Sequence, residues 1–147
     1  IVLRRGTAGR LMNFVVSDFE KANLDIDDGA TYDQLVGGVL KIESTFLGNN
    51  ANGSVTSGAF ADDGADDAAL PPLFAGGNAN NNVLGTPGLL APAGGGKTYI
   101  NSATENAVTA INPATIDPVF FEATDYAGAV KNAASDWTNG WTVWLRD

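Results

Sequence analysis

The chain has 147 residues, with 17 Asp and Glu against 8 Lys and Arg and a formal net charge of −9. Nucleic acids and anionic membranes are bound through clustered Lys and Arg, so this balance argues against both as partners. The chain contains no Cys and no His, which excludes thiol nucleophiles, Ser-His-Asp triads and typical zinc sites.

The length is that of one domain, and changes of composition divide the chain into three segments. Residues 1–47 are predicted to form strands, residues 48–96 long loops rich in Gly and Asn, and residues 97–147 a C-terminal capping segment. No apolar run approaches the ~20 residues that a membrane-spanning helix needs, so we expect no membrane span. Because the chain begins at Ile1 without a charged and then apolar leader, we expect it to be the processed or truncated C-terminal part of a longer protein.

The first segment opens with a predicted strand at residues 1–3 and continues with the best strand candidate, residues 10–19. This second strand carries apolar side chains on both of its faces, and Asn13 is its one polar interior candidate. We therefore expect it to be covered on both sides, with Asn13 either bonding the backbone of a neighbouring coil or facing solvent. A short strand at residues 24–27 follows, with carboxylates on one face.

A helical turn and a second long strand complete this segment. Thr31 and Gln34 fit a capping box, which predicts one turn of helix that ends at the Gly pair 37–38. Residues 39–47 then alternate between apolar and polar side chains, which is typical of a strand with one buried face.

The order of strand, turn, short strand, turn and strand is a weak internal repetition. Phe14 and Ile42 would occupy equivalent places in two successive coils. The repetition predicts an all-β fold in which the chain forms coils of a parallel β-helix, and an ordinary sandwich is also compatible with it.

The tail DWTNGWTVWL predicts a β-hairpin, because the Asn-Gly pair at 139–140 is the preferred type I′ turn. Trp137 and Trp144 would share one face of this hairpin, and Trp141 would lie on the other. A hairpin is marginal in water unless one face is packed, so we expect it to close the core against upstream aromatics such as Tyr126, with at least two of the three Trp side chains mostly buried. The alternative is that these aromatics stack on a polysaccharide.

Two acidic turns are candidate calcium sites, because calcium takes carboxylate and carbonyl oxygens. Neither turn follows the EF-hand order, so a solvated acidic turn is the favoured alternative in both. Paired Asp residues on one strand face can also cleave glycosidic bonds, one as acid and one as base. The candidate residues are Asp25, Asp27 and Asp28 in the first turn, which also serve the glycosidic hypothesis, and Asp62, Asp63, Asp66 and Asp67 in the second.

Two stretches resemble a family of secreted bacterial proteins of unknown function. The first is RRGTAGRLMNFVVSDFEKANLDIDD, in which a turn of the R-x-G-T-x-G type precedes an apolar strand and a DIDD turn. The second is DPVFFEATDYAGAVKNAASDWTNGWTVWL, which looks like the C-terminal ending of that family. The matching residues are Arg5, Gly6, Thr7, Gly9, Asp25, Asp27, Asp28, Phe120, Phe121, Tyr126, Gly128, Ala129, Asp136, Trp137, Gly140 and Trp141.

The resemblance implies the terminal coils of an exported right-handed parallel β-helix, extracellular or at the cell surface, with further coils before Ile1. No catalytic residue is carried over, because the family has no established function. We expect a non-catalytic structural or binding module that associates with other chains, or with itself, through an open β-helix edge. The alternatives are a carbohydrate-active β-helix and the subunit of an extracellular filament.

Overall fold

The computed structural model describes residues 1–17, 19, 22–48, 70–74, 79–85, 89–90, 100–101, 110–131, 133–135 and 137. In these ranges the chain is mainly β, with short strands and little helix, which confirms the predicted all-β class at that level. None of the helices in these ranges is long and apolar enough to cross a bilayer. In chain order the elements are β1 (Val2–Leu3), β2 (Gly9–Met12), β3 (Val15–Val16), β4 (Asp25–Ile26), α1 (Gly29–Val36), β5 (Leu40–Glu43), β6 (Phe46–Leu47), α2 (Leu70–Leu73), β7 (Val83–Leu84), β8 (Leu89–Leu90), β9 (Ile100–Asn101) and the 3-10 helices Pro113–Thr115 and Ala133–Ser135.

The strands form three parallel sheets that follow the order of the chain. β1 pairs with β4, β2 pairs with β5, and β3 pairs with β6, which pairs in turn with β7. Strands β4, β5 and β6 therefore repeat the order of β1, β2 and β3, and each lies beside its counterpart. β8 and β9 form a separate antiparallel pair.

The prediction of one continuous strand at residues 10–19 and another at residues 39–47 is wrong. Each is broken into two short strands by one residue in the left-handed conformation, Asn13 at φ 61° and Ser44 at φ 46°. A left-handed residue turns the chain out of the extended direction, and Asn is among the few residues that adopt this conformation at low cost. Period-two alternation does not reveal such a corner, because the residues on both sides of it are still extended.

The left-handed corners lie in register across three neighbouring strands. The Asn13 N–H donates to the Glu43 carbonyl, at 3.3 Å, and the Ser44 N–H donates to the Asn80 carbonyl, at 2.9 Å. Asn81, which precedes β7, is also left-handed, at φ 54°. The corner is thus repeated by Asn13, Ser44 and Asn81, and this repetition keeps the flanking strands aligned.

The predicted equivalence of Phe14 and Ile42 is also wrong. Ile42 lies opposite Leu11 in the β2–β5 ladder, and the Phe14 carbonyl accepts a hydrogen bond from Phe46 N–H, at 2.7 Å. Phe14 follows the corner, which turns it away from the β2 direction, and its side chain is 42% exposed.

Helix α1 is longer than the single predicted turn and begins at a different cap. Its N-cap is Asp28, whose backbone is extended and whose Oδ1 accepts from the Thr31 N–H, at 2.7 Å. Asp is one of the strongest N-cap residues, and the fully buried Thr31 instead lies within the helix, where its Oγ1 accepts from the Gly6 N–H, at 3.0 Å. The predicted end of the helix is confirmed, because Gly37 is the C-cap and Gly38 has φ 72°.

The β3–β6–β7 sheet has apolar groups on both of its faces. On one face, Val16 and Leu47 belong to the main hydrophobic core, together with the buried side chains Leu3, Leu24, Ile26, Leu40, Ile42 and Phe74. On the other face, Val15 packs against Phe46 and Ala127 in a second cluster. This confirms, for β3, that the strand is covered on both sides. The predicted alternation is also confirmed in β5, where Leu40 and Ile42 are buried and Lys41 is exposed.

Candidate functional site

The corner at Asn13 holds the C-terminal part of the described chain. The Asn13 Nδ2 donates to the Ile111 carbonyl, at 2.7 Å, and its Oδ1 accepts from the Ile111 N–H, at 2.8 Å. The Asn13 carbonyl accepts from the Gly128 N–H, at 2.7 Å. A carboxamide has one donor and one acceptor side, so it can pair with a backbone unit as a strand residue does. Asn13 therefore bonds this C-terminal stretch through both its side chain and its main chain.

Within residues 110–131, Ala127 packs on the outer face of the β3–β6–β7 sheet. Ala127 is 1% exposed and contacts Phe46, and Val130 is 5% exposed. Burial of these groups removes apolar surface from water. The capping role of residues 97–147 stays a prediction.

An open cleft of about 390 Å³ lies where this stretch meets the Asn13 corner. The described residues that line it carry no charged side chain, and the amide of Asn13 is already bonded to Ile111. Polar groups are supplied by the hydroxyls of Thr124 and Tyr126, both half-buried. We call it the corner cleft, and it is lined by Met12, Asn13, Phe14, Val15, Thr124, Tyr126, Gly128 and Ala129.

The first acidic turn is held by contacts within the fold. Asp27 forms an ion pair with Arg4, at 2.9 Å. The Asp28 carboxylate accepts from the backbone N–H of Arg5 and from that of Thr31, and these hydrogen bonds lower the pKa of Asp28. Hydrogen bonds to a carboxylate favour its charged form, so Asp28 is an anion that joins the N-terminal turn to the start of α1.

The partly buried Asp25 belongs to β4, opposite Val2. Among the described residues, no group of three or more carboxylates is placed to hold a metal ion. The second acidic turn, at Asp62, Asp63, Asp66 and Asp67, lies outside the described residues. Calcium binding and glycosidic chemistry at these carboxylates both stay predictions.

Two of the Arg residues near the N-terminus form ion pairs with carboxylates. Arg4 pairs with Asp27, and Arg10 pairs with Glu43 across the β2–β5 ladder. Both pairs are partly exposed, and exposed ion pairs contribute about 0–1 kcal/mol to stability. One pair joins the ends of β1 and β4, and the other joins β2 to β5.

Trp137 is 57% exposed, and the prediction that at least two of the three Trp side chains are mostly buried stays a prediction, because Trp141 and Trp144 are not among the described residues. The Trp137 indole N–H donates to the Ala129 carbonyl, at 2.8 Å, which holds the ring beside residues 110–131 while leaving much of it in solvent. The indole N–H is the only hydrogen-bond donor of a Trp side chain, and here it is bonded while the ring stays at the surface. The turn at 139–140, Trp141 and Trp144 lie outside the described residues.

Sequence reasoning missed Asn82, which is 3% exposed. Its Nδ2 donates to the carbonyls of Ile42 and Leu73, at 2.7 and 3.2 Å, and its Oδ1 accepts from the Thr45 N–H, at 3.0 Å. The sequence signal is the Asn-rich run at 78–82, which the composition assigns to a loop. Asn side chains that bond to backbone groups are common at turns, so clustered Asn beside predicted strands marks corners as well as loops.

Comparison of the chain with protein-family models, with curated proteins and with solved structures finds no match.

Proposed function

We propose that this chain is a non-catalytic structural or binding module, formed by coils of a right-handed parallel β-helix, that associates with other chains and with copies of itself through open strand edges. The resemblance to secreted bacterial proteins supports an extracellular or cell-surface location. Parallel connections between strands of one sheet are right-handed in ~98% of cases, which supports the handedness.

The observation that carries the proposal is that β1 and β2 are each paired on one side only within the described residues. Each has one neighbour among the described residues, β4 and β5 respectively, so each keeps one open edge within that part of the chain. The repeated parallel order and the aligned left-handed corners support a coiled chain in which each turn of the coil adds one strand to each sheet. An edge with free N–H and C=O groups is a template for a strand from another chain.

The geometry of β1 identifies the groups available for such pairing. The carbonyls of Ile1 and Leu3 accept from Asp25 and Asp27, both at 2.9 Å. Because neighbouring residues of a strand direct their polar groups to opposite sides, Val2 directs its N–H and C=O away from β4. Its side chain is 58% exposed, so a strand from another chain can reach this edge.

The test replaces Val2 with Pro, which removes the N–H on the open side and is tolerated on an edge strand. Val2→Ala is the matched control, because it shortens the side chain and keeps the N–H. We expect the wild-type chain to self-associate in sedimentation equilibrium, and Val2→Pro to associate roughly tenfold more weakly than Val2→Ala, as loss of about one hydrogen bond predicts.

A thermal melt of each variant shows that the fold is intact. A wild-type chain that is monomeric at all concentrations, or a Pro variant that associates as strongly as the Ala variant, would contradict the proposal. Association that continues to grow with concentration, without a closed oligomer, would favour the filament subunit, because head-to-tail contacts that do not close form filaments.

A further inference from the structure

The two sides of the paired strands differ in how far they are exposed. On one side, Val2 of β1 is 58% exposed, and Gly9 and Arg10 of β2 are exposed as well. On the other side, β4 and β5 are closed, with Ile26 0% and Leu40 1% exposed. We call the sides of β1 and β2 that face away from β4 and β5 the lower edge, and the opposite sides of β4 and β5 the upper edge.

The upper edge is closed to a second copy of the chain. The Glu43 carbonyl of β5 faces β2, where it accepts from the Asn13 N–H, so the Ile42 carbonyl faces the upper edge. That carbonyl already accepts from the Asn82 Nδ2, at 2.7 Å, and Ile42 is 2% exposed. A head-to-tail stack of one coil on another needs the strands of both edges to be free. Self-association through strands therefore joins lower edge to lower edge.

Backbone groups of β2 are available for this pairing. The Gly9 N–H donates to the Val39 carbonyl, at 3.3 Å, so Gly9 directs its polar groups toward β5. Because neighbouring residues of a strand direct their polar groups to opposite sides, Arg10 and Met12 direct their N–H and C=O away from β5. An added strand therefore bonds to β2 at these two residues.

The face that Leu11 occupies sets the direction of the added strand. Leu11 packs against the main core and is only partly buried, so an apolar group added on the same face removes more of its surface from water. A twofold axis perpendicular to the sheet keeps the core faces of both copies on one side and makes the two β2 strands antiparallel. A twofold axis along the strands would make them parallel and would turn the core faces to opposite sides.

One antiparallel register satisfies both the hydrogen bonds and the side chains. Residues that direct polar groups to the partner strand lie opposite each other, so Arg10 and Met12 pair only with Arg10 or Met12. Pairing of Arg10 with Arg10 opposes like charges, which is destabilising, and sets Gly9 opposite Leu11. Pairing of Met12 with Met12 sets Leu11 opposite the left-handed Asn13, where the strand has ended. Pairing of Arg10 with Met12 sets Leu11 opposite Leu11, on the twofold axis.

We infer that two copies of the chain form a closed dimer in which their β2 strands pair antiparallel, with Leu11 of one copy opposite Leu11 of the other. This rests on the self-association proposed above, and it names the partner of the β2 edge and the register of the contact. The pairing joins the two β2–β5 sheets into one, in the order β5, β2, β2, β5. Because the contact uses the same edge on both copies and the upper edge is closed, the assembly ends at two copies.

The test uses single Cys variants, since the chain has no Cys of its own. Opposed residues in a non-hydrogen-bonded antiparallel pair have Cα atoms about 4.5 Å apart, a separation that a disulfide spans. Leu11→Cys should therefore form a disulfide-linked dimer on oxidation. Lys41→Cys is the matched control, because Lys41 is exposed on β5. Its two copies would lie three strand spacings apart, roughly 14 Å, which no disulfide spans.

With oxidised glutathione as the oxidant, we expect Leu11→Cys to cross-link at least about tenfold faster than Lys41→Cys, as followed on non-reducing gels. Sedimentation equilibrium of the wild-type chain should level off at the mass of a dimer. Circular dichroism and urea denaturation show that each variant is folded.

A second pair of variants tests the register without changing Leu11. Arg10 and Met12 lie on the face opposite Leu11, and in the inferred register their Cα atoms are about 5.5 Å apart across the dimer. A mixture of Arg10→Cys with Met12→Cys should therefore form a cross-linked heterodimer faster than either variant cross-links alone.

Cross-linking of Leu11→Cys no faster than that of Lys41→Cys, a mixture no faster than its components, or a wild-type mass that grows beyond the dimer would each overturn the inference. If Val2→Pro weakens association while any of these results holds, self-association through strand edges stands and the β2 arrangement does not. If the wild-type chain is monomeric at all concentrations, the proposed function fails, and this inference fails with it.

Discussion

Replacement of Asn13 by Ala should destabilise the chain in two ways, through lost hydrogen bonds and through backbone strain. The side chain makes two hydrogen bonds to the Ile111 backbone, and a typical hydrogen bond contributes about 0.5–1.5 kcal/mol. The residue is also left-handed, at φ 61°, a conformation that costs most residues about 1–2 kcal/mol and that Asn tolerates. We expect Asn13→Ala to lower the free energy of unfolding by about 2–5 kcal/mol.

Two further variants isolate the terms. Asn13→Gly loses the same hydrogen bonds and keeps the left-handed corner without strain, so it should cost about 1–3 kcal/mol and less than Asn13→Ala. Asn112→Ala is the control, because the exposed Asn112 makes a local cap to the Ala114 N–H, at 3.1 Å. Its loss should cost about 1 kcal/mol, as is usual for an N-cap residue.

The assay is urea denaturation followed by circular dichroism, with the slope checked so that changes in midpoint report stability. Hydrogen exchange of the Ile111 and Gly128 amides is the second readout, since both donate to Asn13. Their exchange should accelerate in Asn13→Ala and remain unchanged in Asn112→Ala. Equal costs for Asn13→Ala and Asn112→Ala, or unchanged exchange at both amides, would refute the role assigned to this corner.

Two more predictions concern the acidic turns and the exposed tryptophan. If calcium binds at the acidic turns, the melting temperature should be higher in calcium than in chelator. The stabilisation should be about 2.7 kcal/mol at a calcium concentration one hundred times the dissociation constant. Identical melting temperatures would leave the carboxylates as solvated turns. Trp137→Ala should lower the free energy of unfolding by about 1 kcal/mol, the value of one hydrogen bond, rather than by the ~3–5 kcal/mol of a buried aromatic. Acrylamide should readily quench the part of the wild-type fluorescence that the Trp137→Ala variant lacks. A cost above about 3 kcal/mol, or resistance to quenching, would show that the indole is buried in solution.

Several local features were predictable because they depend on near neighbours in the chain. The alternation of Leu40, Lys41 and Ile42 reports which face of β5 is buried, since side chains of a strand point to opposite sides. Gly37 and Gly38 mark the end of α1, since Gly readily adopts the left-handed conformation that follows a helix. The absence of His and Cys limits the available chemistry in any fold.

Other features depend on partners that the local pattern does not name. The carboxamide of Asn13 can bond to any backbone unit, and only the tertiary structure pairs it with Ile111, 98 residues away. The break of residues 10–19 into β2 and β3 has the same origin, because the left-handed corner is stable where its polar groups meet those of Glu43 and Gly128.

The sequence alone determined the mainly β character, the acidic balance and the buried face of β5, because composition and short periodicities act over a few residues. The tertiary structure decided the register of Asn13, Ser44 and Asn81, the exposure of Trp137, and the meeting of residues 110–131 with the outer face of β3. These depend on contacts between distant segments, whose formation requires both surfaces to fit and the intervening chain to close.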